Sequence, residues 1–379
     1  MKNRLAALLF AGSTISAQPI YDLLLKNGRV IDPANHREGQ LDVAVIGNRI
    51  VRVAPNLPAA YARVAVDVGG YIVAPGLIDI NTRFGSALKP DNNTLPNGVT
   101  TAVDAGSATC ETFSDFKAQV IDHAKVRLLA FLSATDAECT SRVARQDRET
   151  IVGIAATPAT LGAALAAARA SGAAIMVSSD SQAYESYADL LSKQLRPADI
   201  STHVYSRLTP QMDSSGTLRP EIREARRRGI LFDSAHGTDG LWFRIAQPAV
   251  AQQFLPDTIS SGMDWNSILL PRANLATSMS IFLNLGMTEE QIVERVTSNA
   301  ARAIKRPQLG NLSEGAVADI AVLEVQEGKF GFLDSGHARL DGTRRFYCLL
   351  TVRNGVIVWD SDGLSIPDAA RAGPYTNFK

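Results

Sequence analysis

Residues 71–85 read YIVAPGLIDINTRFG. The first half, residues 72–80, has the apolar, β-branched character of a strand buried on both faces, with a turn marked by Pro75-Gly76. The second half ends that strand on Asn81 and Arg83. Neither residue suits a metal: an amide oxygen is a poor ligand, and a guanidinium is a permanent cation that repels one.

Seven further short runs rich in Val and Ile follow, at 99–104, 126–133, 151–156, 173–178, 200–205, 229–234 and 257–261. The segments between them read as helices. Thr157-Pro158 supplies an N-cap and a first-turn proline for one that Gly172 closes. Residues 220–228 place Glu221 and Glu224 early and arginines late, as the helix dipole favours. Thr288 to Gln291 forms a capping box for a helix over 288–303. Eight strands alternating with helices predict a (β/α)8 TIM-type barrel over residues 72–307. A doubly wound open sheet is the alternative, but no GxGxxG follows the first strand.

Both ends are rich in β runs. Residues 21–30, 41–46, 50–53 and 64–68 lie between turn signals at Asn27-Gly28 and Gly47-Asn48. Residues 319–323, 348–352 and 355–359 surround Asn354-Gly355. Chain ends are often neighbours, so 18–71 and 308–360 are expected to build one small β-sandwich, followed by a tail at 361–379.

Composition is that of an ordinary globular protein, with 46% hydrophobic and 20% charged residues. A formal net charge of zero gives no electrostatic reason to expect a nucleic-acid partner. Lys2 and Arg4 precede a short apolar run and small residues up to Ala17, so residues 1–17 read as a signal peptide and the protein as exported, periplasmic or secreted. No run is long enough for a membrane span. Cys110, Cys139 and Cys348 show no CxxC spacing, which excludes a thiolate metal cage; they read as isolated thiols.

Several phrases together carry a resemblance: YDLLLKNGRVIDPAN, GLIDI, NGVTTAVDAGSA, STHVYSRLTP, GILFDSAHG, FLPDTISSG and the late LGNLSEGAVADIAVL. The chain resembles the amidohydrolase superfamily, in its dihydroorotase-like branch and the amidohydrolase/deacetylase metallohydrolase subgroup. The resemblance implies a barrel with a β-sandwich and a zinc or other divalent centre. It also implies hydrolysis of cyclic amides or N-acyl groups by metal-activated water. Carried over position by position, the paired histidines after the first strand become Asn81 and Arg83. The bridging lysine becomes Ala155, the fifth-strand histidine Ser178 and the eighth-strand aspartate Gly262. His203 and His236 remain as the ligand pair, and Asp104 reads as a loop brace. Asp264 and Asp180, two residues past Gly262 and Ser178, are carboxylates that a loop shift would bring inward as catalytic candidates.

Two imidazoles fall short of the three protein ligands of a catalytic zinc. The first expectation is therefore a degenerate pseudoenzyme with no cofactor. Its pocket, lined by Asn81, Arg83, Ser178, His203 and His236, would take a small carboxylate, cyclic amide or N-acyl compound. The second is an active hydrolase with a single metal on His203 and His236, or with another catalytic set such as Ser178 and His203. The third is a scaffold protein. A homo-oligomer is left open.

Overall fold

The structure, a computed structural model, describes residues 20–85, 88–178 and 184–374. The leader at 1–17 and Asp180 lie outside the described residues. Fifteen strands form two sheets.

The first sheet joins the two chain ends. It contains β1 (Tyr21–Asp32), β2 (Arg37–Ile46), β3 (Arg49–Ala54), β4 (Ala62–Asp67) and β5 (Ile72–Pro75). The C-terminal β13 (Ile320–Leu333), β14 (Arg339–Arg353) and β15 (Val356–Asp360) complete it. The hydrogen-bonded order is β15-β14-β13-β5-β1-β2-β3, with β4 parallel to β1. β5 is its keystone, parallel to β1 and antiparallel to β13. Alternate apolar residues such as Leu23, Leu25, Val43, Val45, Ile320 and Val322 bury into one core. The turn expected at Asn27-Gly28 is instead a bulge inside the 12-residue β1, where the register against β2 shifts between Leu25 and Gly28. Asn27 takes φ 62° there, so the turn chemistry is spent on kinking a strand that continues.

The strand expected over 72–80 is likewise divided. After β5 the Gly76 N–H bonds Asp319 O at 2.8 Å, and the chain passes into the second sheet as β6 (Leu77–Thr82).

That sheet is the barrel. β6, β7 (Val99–Thr109), β8 (Arg127–Ser133), β9 (Ile151–Ala156), β10 (Ala174–Ser178), β11 (Ile200–Thr202) and β12 (Leu231–Phe232) pair in parallel, each with the next. The eighth run is no regular strand. It closes the ring through single parallel bridges, Asp233 with Thr258 on one side and Thr82 with Met263 on the other. Backbone bonds from Gly262 N to Asn81 O (2.9 Å) and from Arg83 N to Met263 O (2.7 Å) seal the seam.

Helices cover the outside. Leu161–Ser171 starts three residues later than expected, with Thr160 at its N-cap, because Thr157 to Thr160 form a separate hydrogen-bonded turn. The capping box at Thr288 and Gln291 is present, but the helix breaks at Thr297 into Glu289–Val296 and Ser298–Ala303. The cysteine reading is corrected too. Cys110 and Cys139 form a disulfide that ties the loop after β7 to the Ala137–Gln146 helix after β8, while Cys348 is free and buried.

Candidate functional site

The barrel strands deliver their C-terminal ends to a cavity of about 160 Å3. Asn81 and Arg83 reach it from the end of β6, Ser178 from β10 and His203 from just past β11. Gly262 and Asp264 reach it from the closing segment. At ~30 Å3 per water, this is room for about five waters or one short acyl group.

His203 is the centre of this group. Its Nδ1 lies 3.1 Å from Ser178 Oγ. The ring is held by its backbone, at φ 56°, and by Gly240, where a Cβ would stand 2.5 Å from His203 Cδ2 and 1.7 Å from Ala235 O. The histidine carbonyl accepts from Ser206 N–H and from Thr209 Oγ1. Burial pushes the imidazole pKa down to about 4; the Arg83 guanidinium pushes the same way and Asp264 opposes it. At neutral pH His203 is an uncharged imidazole. In the tautomer whose proton is on Nε2, Nδ1 accepts from the serine hydroxyl.

Arg83 is exposed at the rim and makes no side-chain hydrogen bond or ion pair among the described residues. Two carboxylates share the rim with it. Asp264 is engaged, its Oδ1 accepting from Asn266 N–H and Ser267 N–H at 2.9 Å each. That oxygen fixes its own loop, while the residue lines the cavity and lies near enough to His203 to act on its charge. Asp239 is exposed. Asp104 is buried and braces two loops, accepting from Phe84 N–H, Ser107 N–H and Ser107 Oγ.

His236 does not join the cavity lining. It is fully buried, and among the described residues neither ring nitrogen makes a well-formed hydrogen bond, the Leu333 carbonyl being the nearby acceptor. Burial pushes its pKa down to about 4, with the Leu333 carbonyl and Asp334 carboxylate opposing. The expected His203–His236 ligand pair is thus divided, one ring in the cavity and the other packed behind it.

Beneath the cavity lies a polar network that sequence reasoning missed. Asn81 Nδ2 donates to Thr202 Oγ1 (2.9 Å), and Thr202 Oγ1 donates to Asp233 Oδ2 (2.6 Å). Asp233 also accepts from Thr258 and Ser260 hydroxyls at 2.8 Å each. Asp79 accepts from Ser261 N–H at 3.0 Å. Burial pushes Asp79 up to about 7 despite its bonds from Ser261 and Asn81, and the Asp233 carboxylate adds to the rise. Burial raises Asp233 too, against its hydroxyl donors. A carboxylate inside an apolar strand was the available signal.

These residues do not fit a divalent metal. Asn81 donates its Nδ2 to Thr202 and keeps only a weakly ligating amide oxygen, Ser178 Oγ is paired with His203, and Ala155 has no donor. Space is also lacking at the eighth position. A Cβ on Gly262 would stand 2.7 Å from Gly237 N and 3.1 Å from His236 N, so the two rim backbones meet where an aspartate would project. Among the described residues the one close grouping of three ligand-type atoms is Cys110, Glu111 and Cys139, and its two sulfurs are bonded to each other.

The architecture is a closed parallel barrel with its cavity at the strand ends, carried on a sheet built from both termini. No family model matches the chain. It is 26% identical over 337 residues to a deacetylase of Agrobacterium fabrum, covering 79% of this chain and 82% of that one. It is also 26% identical over 366 residues to a deacetylase of Brucella anthropi, covering 85% and 89%. A dihydroorotase of Streptococcus thermophilus is 39% identical over 87 residues, 23% of this chain and 20% of that protein. Among solved structures, an adenine deaminase superposes with a TM-score of 0.81 at 23% identity, over 90% of this chain and all (100%) of that one. A dihydroorotase gives 0.77 at 24%, over 89% and 99%. These likenesses to deacetylases over most of the chain, and to dihydroorotase and deaminase folds, support the amidohydrolase superfamily.

Proposed function

We propose that this protein is an exported member of the superfamily that has lost the resident metal and binds a small amide or N-acyl compound at the strand ends. The observation that carries this reading is that, among the described residues, no group of three ligand-type side chains converges at the strand ends. The tight contact of Gly262 with Gly237 supports it independently.

Ligand chemistry follows from the rim. Arg83 offers a guanidinium to a carbonyl or carboxylate oxygen, and Asp239 offers a carboxylate to an N–H. A ligand with both an acceptor and a donor, such as a cyclic amide or an N-acyl amino acid, matches the pair better than a simple anion. Export is supported by the Cys110–Cys139 disulfide, because such bonds persist in oxidising compartments.

The test combines elemental analysis with thermal shift. The purified protein should carry no stoichiometric zinc, and N-acetylglycine should raise its melting temperature. Arg83→Gln should abolish that shift and leave the unliganded melting temperature unchanged, since the side chain is exposed. A tightly held divalent ion whose removal by chelator collapses activity would overturn the reading.

A further inference from the structure

We propose that Ser178 and His203 form a nucleophile–base pair that accepts a short acyl group onto the serine, making the cavity a metal-independent acyl-transfer site. The inference rests on the ligand class proposed above, and adds to it a covalent step.

Three observations carry it. The first is the 3.1 Å contact between Ser178 Oγ and His203 Nδ1, within the range expected of an activated serine. The second is orientation. Among the described residues no carboxylate hydrogen-bonds the His203 ring, although Asp264 acts on its charge; the imidazole is fixed by packing on Gly240 and by a backbone whose carbonyl is bonded to Ser206 and Thr209. The third is charge. Arg83 opens onto the same cavity and is unpaired among the described residues, so it is free to meet the oxyanion formed at an attacked carbonyl.

The step balances without a further reagent. Ser178 Oγ bonds to the acyl carbon while its proton passes to His203 Nδ1. The tetrahedral oxyanion then collapses, the bond to the leaving oxygen or nitrogen breaks, and the proton on His203 goes to that atom. Water attacks the acyl-serine in the same way, returning the free hydroxyl and releasing a carboxylic acid. The cavity volume limits the acyl part to a short chain.

The experiment is intact-mass analysis of the full chain after incubation with p-nitrophenyl acetate, with peptide mapping of the product and a parallel N-acetylglycine thermal shift. One acetyl group on Ser178 is expected. Ser178→Ala should remove it, and His203→Gln should slow p-nitrophenol release by at least about 100-fold without lowering the melting temperature. A thermal shift with no acetyl group on Ser178 would sink this proposal and leave the binding reading standing; the absence of both would sink both. Label persisting in Ser178→Ala would also overturn it.

Discussion

The Asp79 carboxylate accepts a 3.0 Å hydrogen bond from the backbone N–H of Ser261, 182 residues further along the chain. With Asp233, which gathers the hydroxyls of Thr202, Thr258 and Ser260, it stitches the irregular eighth run to β6, β11 and β12. Where the ladder is reduced to single bridges, side-chain bonds to two buried carboxylates complete the ring.

The first prediction concerns pH. A carboxylate whose native pKa is raised costs the fold stability as pH climbs from its unfolded value, here 3.8, to the native one, about 7. Asp79→Asn keeps the acceptor for Ser261 and removes that cost. Its advantage over wild type should be absent near pH 4, grow towards pH 7 and level off above. The ceiling is several kcal/mol, at about 1.4 kcal/mol per pKa unit. His203 and His236 act oppositely: depressed from 6.5 to about 4, they cost stability as pH falls through that window. Urea titrations of both proteins across this range measure the difference directly.

Thr202→Val tests the network at its hinge. The substitution keeps shape but strips the hydroxyl that links Asn81 Nδ2 to Asp233 Oδ2. Both partners are buried, so a loss of about 2–4 kcal/mol is expected, read as a lower urea midpoint with an unchanged slope.

Restoring the family's ligand residues should fail. With N81H, R83H, A155K, S178H and G262D combined, the new aspartate has to displace the Gly237 backbone, which lies 2.7 Å from where its Cβ must go. Overpacking of this kind costs about 1–3 kcal/mol. The combined variant should be less stable and should bind zinc below stoichiometry by mass spectrometry of metals; a full equivalent would show that the rim backbone yields.

The disulfide gives a count and an energy. Denatured, unreduced protein should show one titratable thiol, Cys348, and reduced protein three. Cys110→Ser with Cys139→Ser should cost about 3 kcal/mol for a loop of this length, 29 residues, seen by chemical denaturation.

The barrel was legible because its strands are buried on both faces and spell themselves as Val- and Ile-rich runs between turn residues. The expectation of an eroded metal set also came from the sequence, since Ala155 and Gly262 have no ligand atoms to offer. What stayed hidden was non-local. Asp79 and Asp233 find their donors far along the chain, and Cys110 and Cys139 meet because the loop after β7 lies against the helix after β8. His203 and His236 look alike in sequence, yet only the structure places one at the cavity and the other behind it. Asn27-Gly28 illustrates a local limit, because the same backbone chemistry serves a hairpin or a bulge and the partner strand decides which.

The position of β5 bears on how the polypeptide acquires its shape during synthesis. β5 leaves the ribosome early, beside β1, but its other neighbour, β13, emerges only after the whole barrel has been translated. Until then the N-terminal half-sheet has an open, apolar flank, an invitation to aggregate or to be held by a chaperone. Assembly of this molecule is therefore gated by its last sixty or so residues, and a chain stalled before them would be left with an unprotected edge.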